Sequence, residues 1–261
     1  MHRAVCVAIF ALLMGQEACA ADAPPAVAPD STYAIGAGIA SVPEYAGARD
    51  SRTTALLTFD YANKNGLFAS TRHGVGYQSS VGPFQFSAAL GYDPGRREKG
   101  GRFRTGSDAL RGMGNVAGGA LGRLALGYDF GFMSVGVEAN LALSRRERGN
   151  TFQLAVGVPL VANARDQVSL FGVADYSDVK NMQTYYGVTQ LQSARSGFVS
   201  YTPSAGFDKV GVGLSANHQI GKNWSVQTMA GAFTMVGDAK KSPLTRRVTT
   251  PILVATFRYA F

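Results

Sequence analysis

Bulky apolar residues and small or polar residues alternate one by one along several stretches of the chain. Over positions 84–93, one face carries Phe84, Phe86, Ala88, Leu90 and Tyr92. The other face carries Gln85, Ser87, Ala89, Gly91 and Asp93. The same alternation runs over 133–144 and 152–160. Because successive side chains of a β-strand point to opposite faces, a period of two predicts two-sided strands.

Twelve segments carry this signal or a weaker form of it: 32–42, 53–62, 66–71, 74–80, 83–93, 115–129, 132–145, 150–161, 167–177, 205–219, 223–235 and 250–261. Short turn sequences alternate along the chain with long connections at 94–114, 178–204 and 236–249. Bacterial membrane barrels have an even strand count, short periplasmic turns and longer outer loops. The pattern predicts an all-β fold, a transmembrane antiparallel up-and-down β-barrel of about twelve strands in the outer membrane of a Gram-negative cell.

The segment 66–80 decides the strand count. We divide it into two short strands at Arg72-His73-Gly74. If 66–80 were one strand, the barrel would have eleven strands, an odd number. If another of the twelve segments is also a loop, the barrel would have ten strands.

The last strand distinguishes a barrel from a soluble β-sandwich, which can also alternate. Mean hydropathy is +0.01, a value compatible with both folds. Phe257, Tyr259 and Phe261 share one face of the last strand, and the chain stops on that Phe. This resembles the C-terminal signal that the barrel-assembly machinery reads, so we interpret these three residues as an assembly signal. The bulky face then suits lipid, and the small polar face suits a lumen.

The N-terminus predicts an export signal. Arg3 precedes an apolar run from Val5 to Met14, and Ala18-Cys19-Ala20 is a small-residue cleavage pattern. We therefore expect a signal peptide over 1–20, a flexible periplasmic tail over 21–31 and the barrel over 32–261. A lipoprotein anchor at Cys19 is the less favoured alternative, because no apolar residue precedes it in the expected place. The mature chain then has no cysteine for a disulfide or metal site.

The formal net charge of +8 is concentrated in the predicted outer loops. Seven basic residues there are predicted to face the phosphates of lipopolysaccharide: Arg97, Arg102, Arg104, Arg145, Arg146, Lys240 and Lys241. Solvated loops without a special partner are the alternative. Nucleic acid, the other usual partner of a basic chain, is excluded by the export signal.

Candidate chemistry is sparse. His73 and His218 are predicted to lie near opposite ends of the barrel, and no Ser/His/acid spacing surrounds either one. We predict no catalytic residue, no metal site and no cofactor. The lumen-phase charges are interpreted as an ion-pair network: Asp60, Asp93, Arg123, Glu138, Asp175, Lys209 and Arg258. Four outer-loop residues are candidates for recognition, with loop-to-loop hydrogen bonds as the alternative: Glu44, Tyr45, Arg96 and Asp108.

Several motifs together resemble the MipA/OmpV family of outer-membrane proteins. They are Ser41-Val42-Pro43-Glu44-Tyr45-Ala46-Gly47, Gly91-Tyr92-Asp93-Pro94-Gly95-Arg96, Leu110-Arg111-Gly112-Met113-Gly114-Asn115, Tyr185-Tyr186-Gly187-Val188, Asp238-Ala239-Lys240-Lys241-Ser242-Pro243 and the end Tyr259-Ala260-Phe261. The resemblance implies a non-enzymatic barrel. It also implies a scaffold role between a murein hydrolase and a murein synthase, and other members are linked to adhesion, osmotic or antibiotic responses.

The favoured functional hypothesis is an envelope scaffold. The alternatives are a narrow channel or small-solute or antibiotic uptake and stress-response barrel, and a surface adhesin. An enzyme acting through His73 or His218 is the least favoured hypothesis. Little of the chain is predicted to face the periplasm, which counts against the scaffold hypothesis. A stable interface needs about 800 Å² per partner. Short turns and the tail would have to act together. For the channel hypothesis, segment 178–204 is a candidate plug.

Overall fold

The computed structural model describes residues 31–100 and 106–261, and its strands close into one antiparallel barrel. The strands are β1 (Ser31–Pro43), β2 (Ser51–Asn63), β3 (Leu67–Ser70), β4 (Gly74–Val81), β5 (Phe84–Asp93), β6 (Gly119–Asp129), β7 (Ser134–Ala142), β8 (Thr151–Ala162), β9 (Asp166–Ser177), β10 (Gly206–Ile220), β11 (Trp224–Met235) and β12 (Thr249–Ala260). Each pairs with its chain neighbour, and β1 pairs with β12 to close the sheet. The prediction of twelve strands is confirmed, including the division at Arg72-His73-Gly74. The predicted signal peptide lies outside the described residues, as does the predicted tail except for residue 31.

The strand alternation sorts side chains between lipid and lumen. Leu57, Leu90 and Tyr92 on the outward face are 78%, 66% and 68% exposed. Small residues face inward, and some positions tolerate only glycine. A Cβ at Gly38 would lie 2.2 Å from the carbonyl oxygen of Ala255, so β1 and β12 approach closely only because that atom is missing.

Aromatic side chains gather at the two ends of the barrel wall, as in other membrane barrels. The periplasmic group contains the contacts Tyr33–Tyr61, Phe84–Tyr128, Tyr128–Phe130, Phe130–Phe132, Trp224–Phe257, Trp224–Tyr259 and Tyr259–Phe261. The outer group contains Phe152, Tyr176 and Phe207. Phe257, Tyr259 and Phe261 thus belong to the periplasmic belt, and their reading by the assembly machinery stays a prediction.

Six outer connections join the strands at one end, and we number them in chain order: 44–50, 71–73, 94–118, 143–150, 178–205 and 236–248. The fifth loop carries two helices, α1 (Val179–Tyr186) and α2 (Gln190–Ser196). The sixth loop carries α3 (Gly237–Lys241), and short 3₁₀ turns lie at Asp108–Leu110 and Arg146–Arg148. Within the described ranges, none of these helices has the length and apolar character needed to cross a membrane.

The hairpin of β3 and β4 is much shorter than the strands beside it. β2 pairs with β3 only through Asp60, Tyr61 and Ala62, and β4 pairs with β5 no higher than Leu90. Among the described residues, the part of β2 from Ser51 to Thr58 has strand pairing on its β1 side alone. These eight residues span about 25 Å along β2. Among the described strands, the pairing is therefore interrupted above the hairpin, and we call this region between β2 and β5 the wall gap.

The short hairpin corrects one expectation about the histidines. His73 follows a β3 strand of only four residues, so it lies partway up the wall and not at the outer rim. His218 lies two residues from the periplasmic end of β10. The prediction that the two histidines lie near opposite ends is wrong, because β3 is too short to carry His73 to the outer mouth.

Candidate functional site

The outer loops pack into a layer with its own hydrophobic cores. The first core draws on the first, third, fifth and sixth loops, through Tyr45, Ala48, Leu110, Met113, Val188 and Leu244. The second core joins α1, α3 and the end of β11 through Met182, Tyr186, Met235 and Ala239. Leu110, Met182, Ala239 and Leu244 are each 0% exposed. We call these four packed loops the cap, since they lie together at the outer end of the barrel.

Polar contacts hold the cap loops to one another. The Tyr45 hydroxyl donates to the carbonyl oxygen of Leu244 at 3.1 Å. Arg96 donates from Nη1 to the Tyr185 carbonyl at 2.7 Å and from Nη2 to the Thr184 carbonyl at 3.3 Å. These carbonyls belong to the last turn of α1, where backbone acceptors lack helical partners. Burial lowers the pKa of Arg96 and raises that of Tyr45.

The four predicted recognition residues therefore have different surroundings. Tyr45 and Arg96 are 3% exposed and hold loops together, which is the alternative that the sequence left open. Glu44 is half-buried and its carbonyl accepts from the Gly106 amide at 3.2 Å. Asp108 is exposed and accepts from the Gly100 amide at 3.4 Å. Recognition through any of the four stays a prediction.

The basic loop residues also divide into exposed and buried sets. Five of those predicted to face lipopolysaccharide are exposed in the outer loops: Arg97, Arg145, Arg146, Lys240 and Lys241. Arg102 and Arg104 lie outside the described residues. Arg148, by contrast, is buried, forms an ion pair with Asp93 and donates to the Tyr185 hydroxyl at 2.9 Å. Contact between the exposed set and lipopolysaccharide stays a prediction.

Directly beneath the cap, ionic groups line the top of the lumen. A β-bulge between Phe207 and Lys209 lets two successive side chains bond to groups at this level. Lys209 Nζ lies 2.8 Å from Asp175 Oδ2, and Asp208 Oδ2 accepts from the Tyr186 hydroxyl at 2.8 Å. The last contact fastens α1 to the barrel wall. Burial, and then the nearby Asp208, raise the pKa of Tyr186 well above its ordinary value.

The predicted luminal ion-pair network is realised in part. Asp175 pairs with Lys209, and Arg258 Nη2 lies 3.6 Å from Asp60 Oδ2. The other charged residues of that set behave differently. Asp93 pairs with Arg148 of the fourth loop, Glu138 accepts from Asn140 at 2.9 Å, and Arg123 makes no hydrogen bond or ion pair with the described residues.

A polar cavity of about 100 Å³ lies lower in the lumen. Its lining includes Thr58, Asp60, Arg72, His73, Ser169 and Arg258. Sites for drug-sized ligands usually measure about 300–1,000 Å³. The lumen at this level therefore admits water and small polar groups.

The histidines have no catalytic partners in the described part of the chain. His218 Nδ1 lies 2.7 Å from Asp166 Oδ1 at the exposed periplasmic end, and neither histidine bonds to a nucleophile there. The described residues also hold no group of three His, Cys, Asp or Glu side chains suited to a metal ion.

The closed strand order, the apolar outward face and the two aromatic belts define an outer-membrane β-barrel protein. Residues 35–261 match the family described as MltA-interacting protein MipA, and the chain belongs to that family. An outer-membrane channel from Pseudomonas putida F1 is similar in fold, with 11% identity and a TM-score of 0.51, covering 92% of this chain and all of that one. A FadL homologue from Pseudomonas aeruginosa is 6% identical over 89% of this chain and 90% of its own, with a TM-score of 0.40. No curated protein matches.

The third outer loop contains a carboxylate whose ionisation has a measurable consequence. Glu98 Oε2 accepts from the amides of Gly112 and Gly114 at 2.9 Å each, and these bonds hold the pKa of Glu98 below its ordinary value. A lowered pKa means that this stabilisation is present above the ordinary pKa and is lost as the pH falls through the lowered one.

We therefore expect both glycine amide signals to titrate together as the pH is lowered from about 7 to 3, with a midpoint below the ordinary pKa of a glutamate side chain. Solution NMR of the protein in micelles measures this. The control is Glu98→Gln, which keeps the side-chain size and should abolish the titration. A midpoint at or above the ordinary value would contradict the argument.

Proposed function

We propose that this protein is a non-enzymatic barrel, closed at rest, that serves as an envelope scaffold for murein hydrolases and synthases at its periplasmic end. The observation that supports this most is the cap. Four loops share two buried cores at the outer end, and this packing supports a mouth that is closed at rest. The family name refers to an interaction with MltA, which fits a partner on the murein side of the membrane.

The periplasmic end offers a set of short turns as the contact surface. Lys64, Arg165 and Lys222 are exposed in three of them, and Phe132 in a fourth is 69% exposed. Because a stable interface needs about 800 Å² on each side, a partner has to contact several turns at once. A partner bound in this way depends on the charge of this end and not on the outer loops.

The test is capture of murein hydrolases and synthases by the purified full-length protein with paired charge reversals. The variant Arg165→Glu with Lys222→Glu should lower capture by about tenfold, since two favourable contacts become repulsive. The matched control, Arg97→Glu with Lys240→Glu, makes the same charge change on the outer side and should capture as the wild type does. Equal capture by both variants, or none above an unrelated barrel, would refute the proposal.

A second candidate is gated uptake of a small solute. The polar cavity beneath the cap favours it, because a barrel serving only as an anchor needs no such space. In this second candidate function the cap is a gate. Conductance in planar bilayers separates the two candidates, because a gated uptake protein opens and conducts whereas a scaffold stays silent.

A further inference from the structure

Arginine side chains outnumber carboxylates around the inner end of the wall gap. Arg72 and His73 form the tip of the short hairpin and line the luminal cavity, as does Arg258. The charges of Arg72 and Arg123 lie close enough to act on each other and on His73. Asp60 is the carboxylate in the cavity lining. Arg258 lies 3.6 Å from it, the Ser70 hydroxyl donates to it at 2.8 Å, and its charge also acts on Arg72. Three guanidinium groups, those of Arg72, Arg123 and Arg258, thus share one carboxylate among the described residues of this cluster.

Arg123 is the clearest source of that excess. It projects inward from β6 and lies beside Gly91, where a Cβ would be 3.1 Å from its Nε and 3.5 Å from the His73 carbonyl oxygen. The missing side chain at Gly91 thus makes room for Arg123 beside the hairpin tip. Its buried Nε bonds to no described group. Glu138, the nearest candidate acid along the adjacent strand β7, bonds to Asn140 instead.

Other polar groups in the cavity lining are also unsatisfied. The Ser169 hydroxyl lines the cavity, its residue is 1% exposed, and it has no hydrogen-bond partner among the described residues. Arg258 Nε is likewise unpartnered. Buried polar groups are normally hydrogen-bonded, so unpartnered ones facing a cavity mark a place where a ligand can supply the bonds.

The wall gap gives this cluster a route to the membrane. On the side away from β1, residues 51–58 of β2 have no neighbouring strand among the described residues. Exposed apolar side chains lie on both flanking strands, Leu57 on β2 and Leu90 on β5. Unpaired backbone is tolerated at membrane depth only where it meets protein or a polar cavity. An amphiphile fits such a boundary, with its tail among the flanking apolar residues and its charged head inside.

We propose that Arg72 and Arg123, aided by the Ser169 hydroxyl, bind the anionic head group of an amphiphile that reaches the lumen through the wall gap. The head group is a phosphate or a carboxylate, because guanidinium groups match both in a bidentate fashion. This site is independent of the periplasmic scaffold role. A negative result for one proposal therefore does not affect the other.

Calorimetric titration of the full chain in a non-ionic detergent tests the site with three probes: dodecyl phosphate, dodecanol as the neutral analogue, and inorganic phosphate as the head group alone. Dodecyl phosphate should bind the wild type at least about tenfold more tightly than either of the others. Hydrogen bonds to charged groups contribute about 1.5–3 kcal/mol, which corresponds to a loss of about tenfold or more in Arg123→Gln and in Arg72→Gln.

The matched control is Arg195→Gln, which removes one positive charge from an exposed position of α2 and should bind as the wild type does. Heat-dependent gel mobility shows that each variant is folded, and having two luminal variants keeps the test valid if one fails to fold. Binding that persists in both luminal variants, or that falls equally in Arg195→Gln, overturns the site. Equal affinity for inorganic phosphate overturns the membrane route and assigns the site to a free anion.

Discussion

Replacing residues 179–203 with a short Gly-Ser linker is expected to convert a barrel that is silent in planar bilayers into one with steady ion conductance. This segment supplies Met182 and Tyr186 to one core of the cap and Val188 to the other. Without it, the first, third and sixth loops lose the packing that holds them together. The linker needs little length, because Gly206 of β10 pairs directly with Ser177 of β9.

The control for this experiment keeps the fifth loop and changes its solvent-facing side chains. Leu191 and Val199 are 60% and 75% exposed and belong to neither core, so Leu191→Ser with Val199→Ser should leave the barrel silent. Heat-dependent gel mobility confirms folding of each variant. If the shortened barrel is folded and still silent, the constriction lies below the cap. If the wild type already conducts to the same extent, the cap does not close the mouth.

The barrel was predictable because its signal is local. A strand that separates lipid from a lumen must alternate at every second residue, so twelve strands can be found without knowing which strands are neighbours. Unequal lengths of neighbouring strands were visible as well, in 53–62 against 66–71. Their consequence, the wall gap, requires the register between β2 and β3, which pairs only three residues of each strand.

The cap could not be predicted from alternation, since its contacts join residues far apart in the chain and follow no period. Tyr45 bonds to Leu244 across 199 positions. Arg96 was predicted as a recognition residue of an outer loop. It is buried because the last turn of α1 offers carbonyl acceptors to its guanidinium group. One local signal was available: Thr189 and Gln192 form a capping box, a pattern that marks a helix start within a segment interpreted as an irregular loop.

The luminal charges show the same division between local and long-range information. Their inward direction follows from their alternate positions along each strand. Their pairing depends on the bulge beside Lys209 and on which strands are neighbours. Asp175 and Lys209 meet because β9 and β10 are adjacent in register. Arg123 faces the same lumen and finds no acid, which only the arrangement of all twelve strands reveals.

The Lys209–Asp175 pair provides the strongest expected effect on stability. Asp175 has only 8% of its side chain exposed, and it accepts from Gln153 Nε2 at 2.7 Å besides Lys209. Lys209→Met leaves this carboxylate buried with one neutral donor. Breaking a buried pair by removing one partner costs about 3–5 kcal/mol, and we expect the lower end here because Lys209 itself is 33% exposed. The measurement is the free energy of unfolding in urea for protein in lipid bilayers.

The double variant Lys209→Met with Asp175→Asn separates the loss of the pair from the burial of a lone charge. Asn has no charge to desolvate and can still accept from Gln153, so the double variant should recover most of the lost stability. Lys222→Met, on an exposed periplasmic turn, removes the same charge and should change the free energy of unfolding by no more than about 0.5 kcal/mol. A double variant as unstable as Lys209→Met alone would show that the lysine stabilises the wall by packing its alkyl chain beneath the cap.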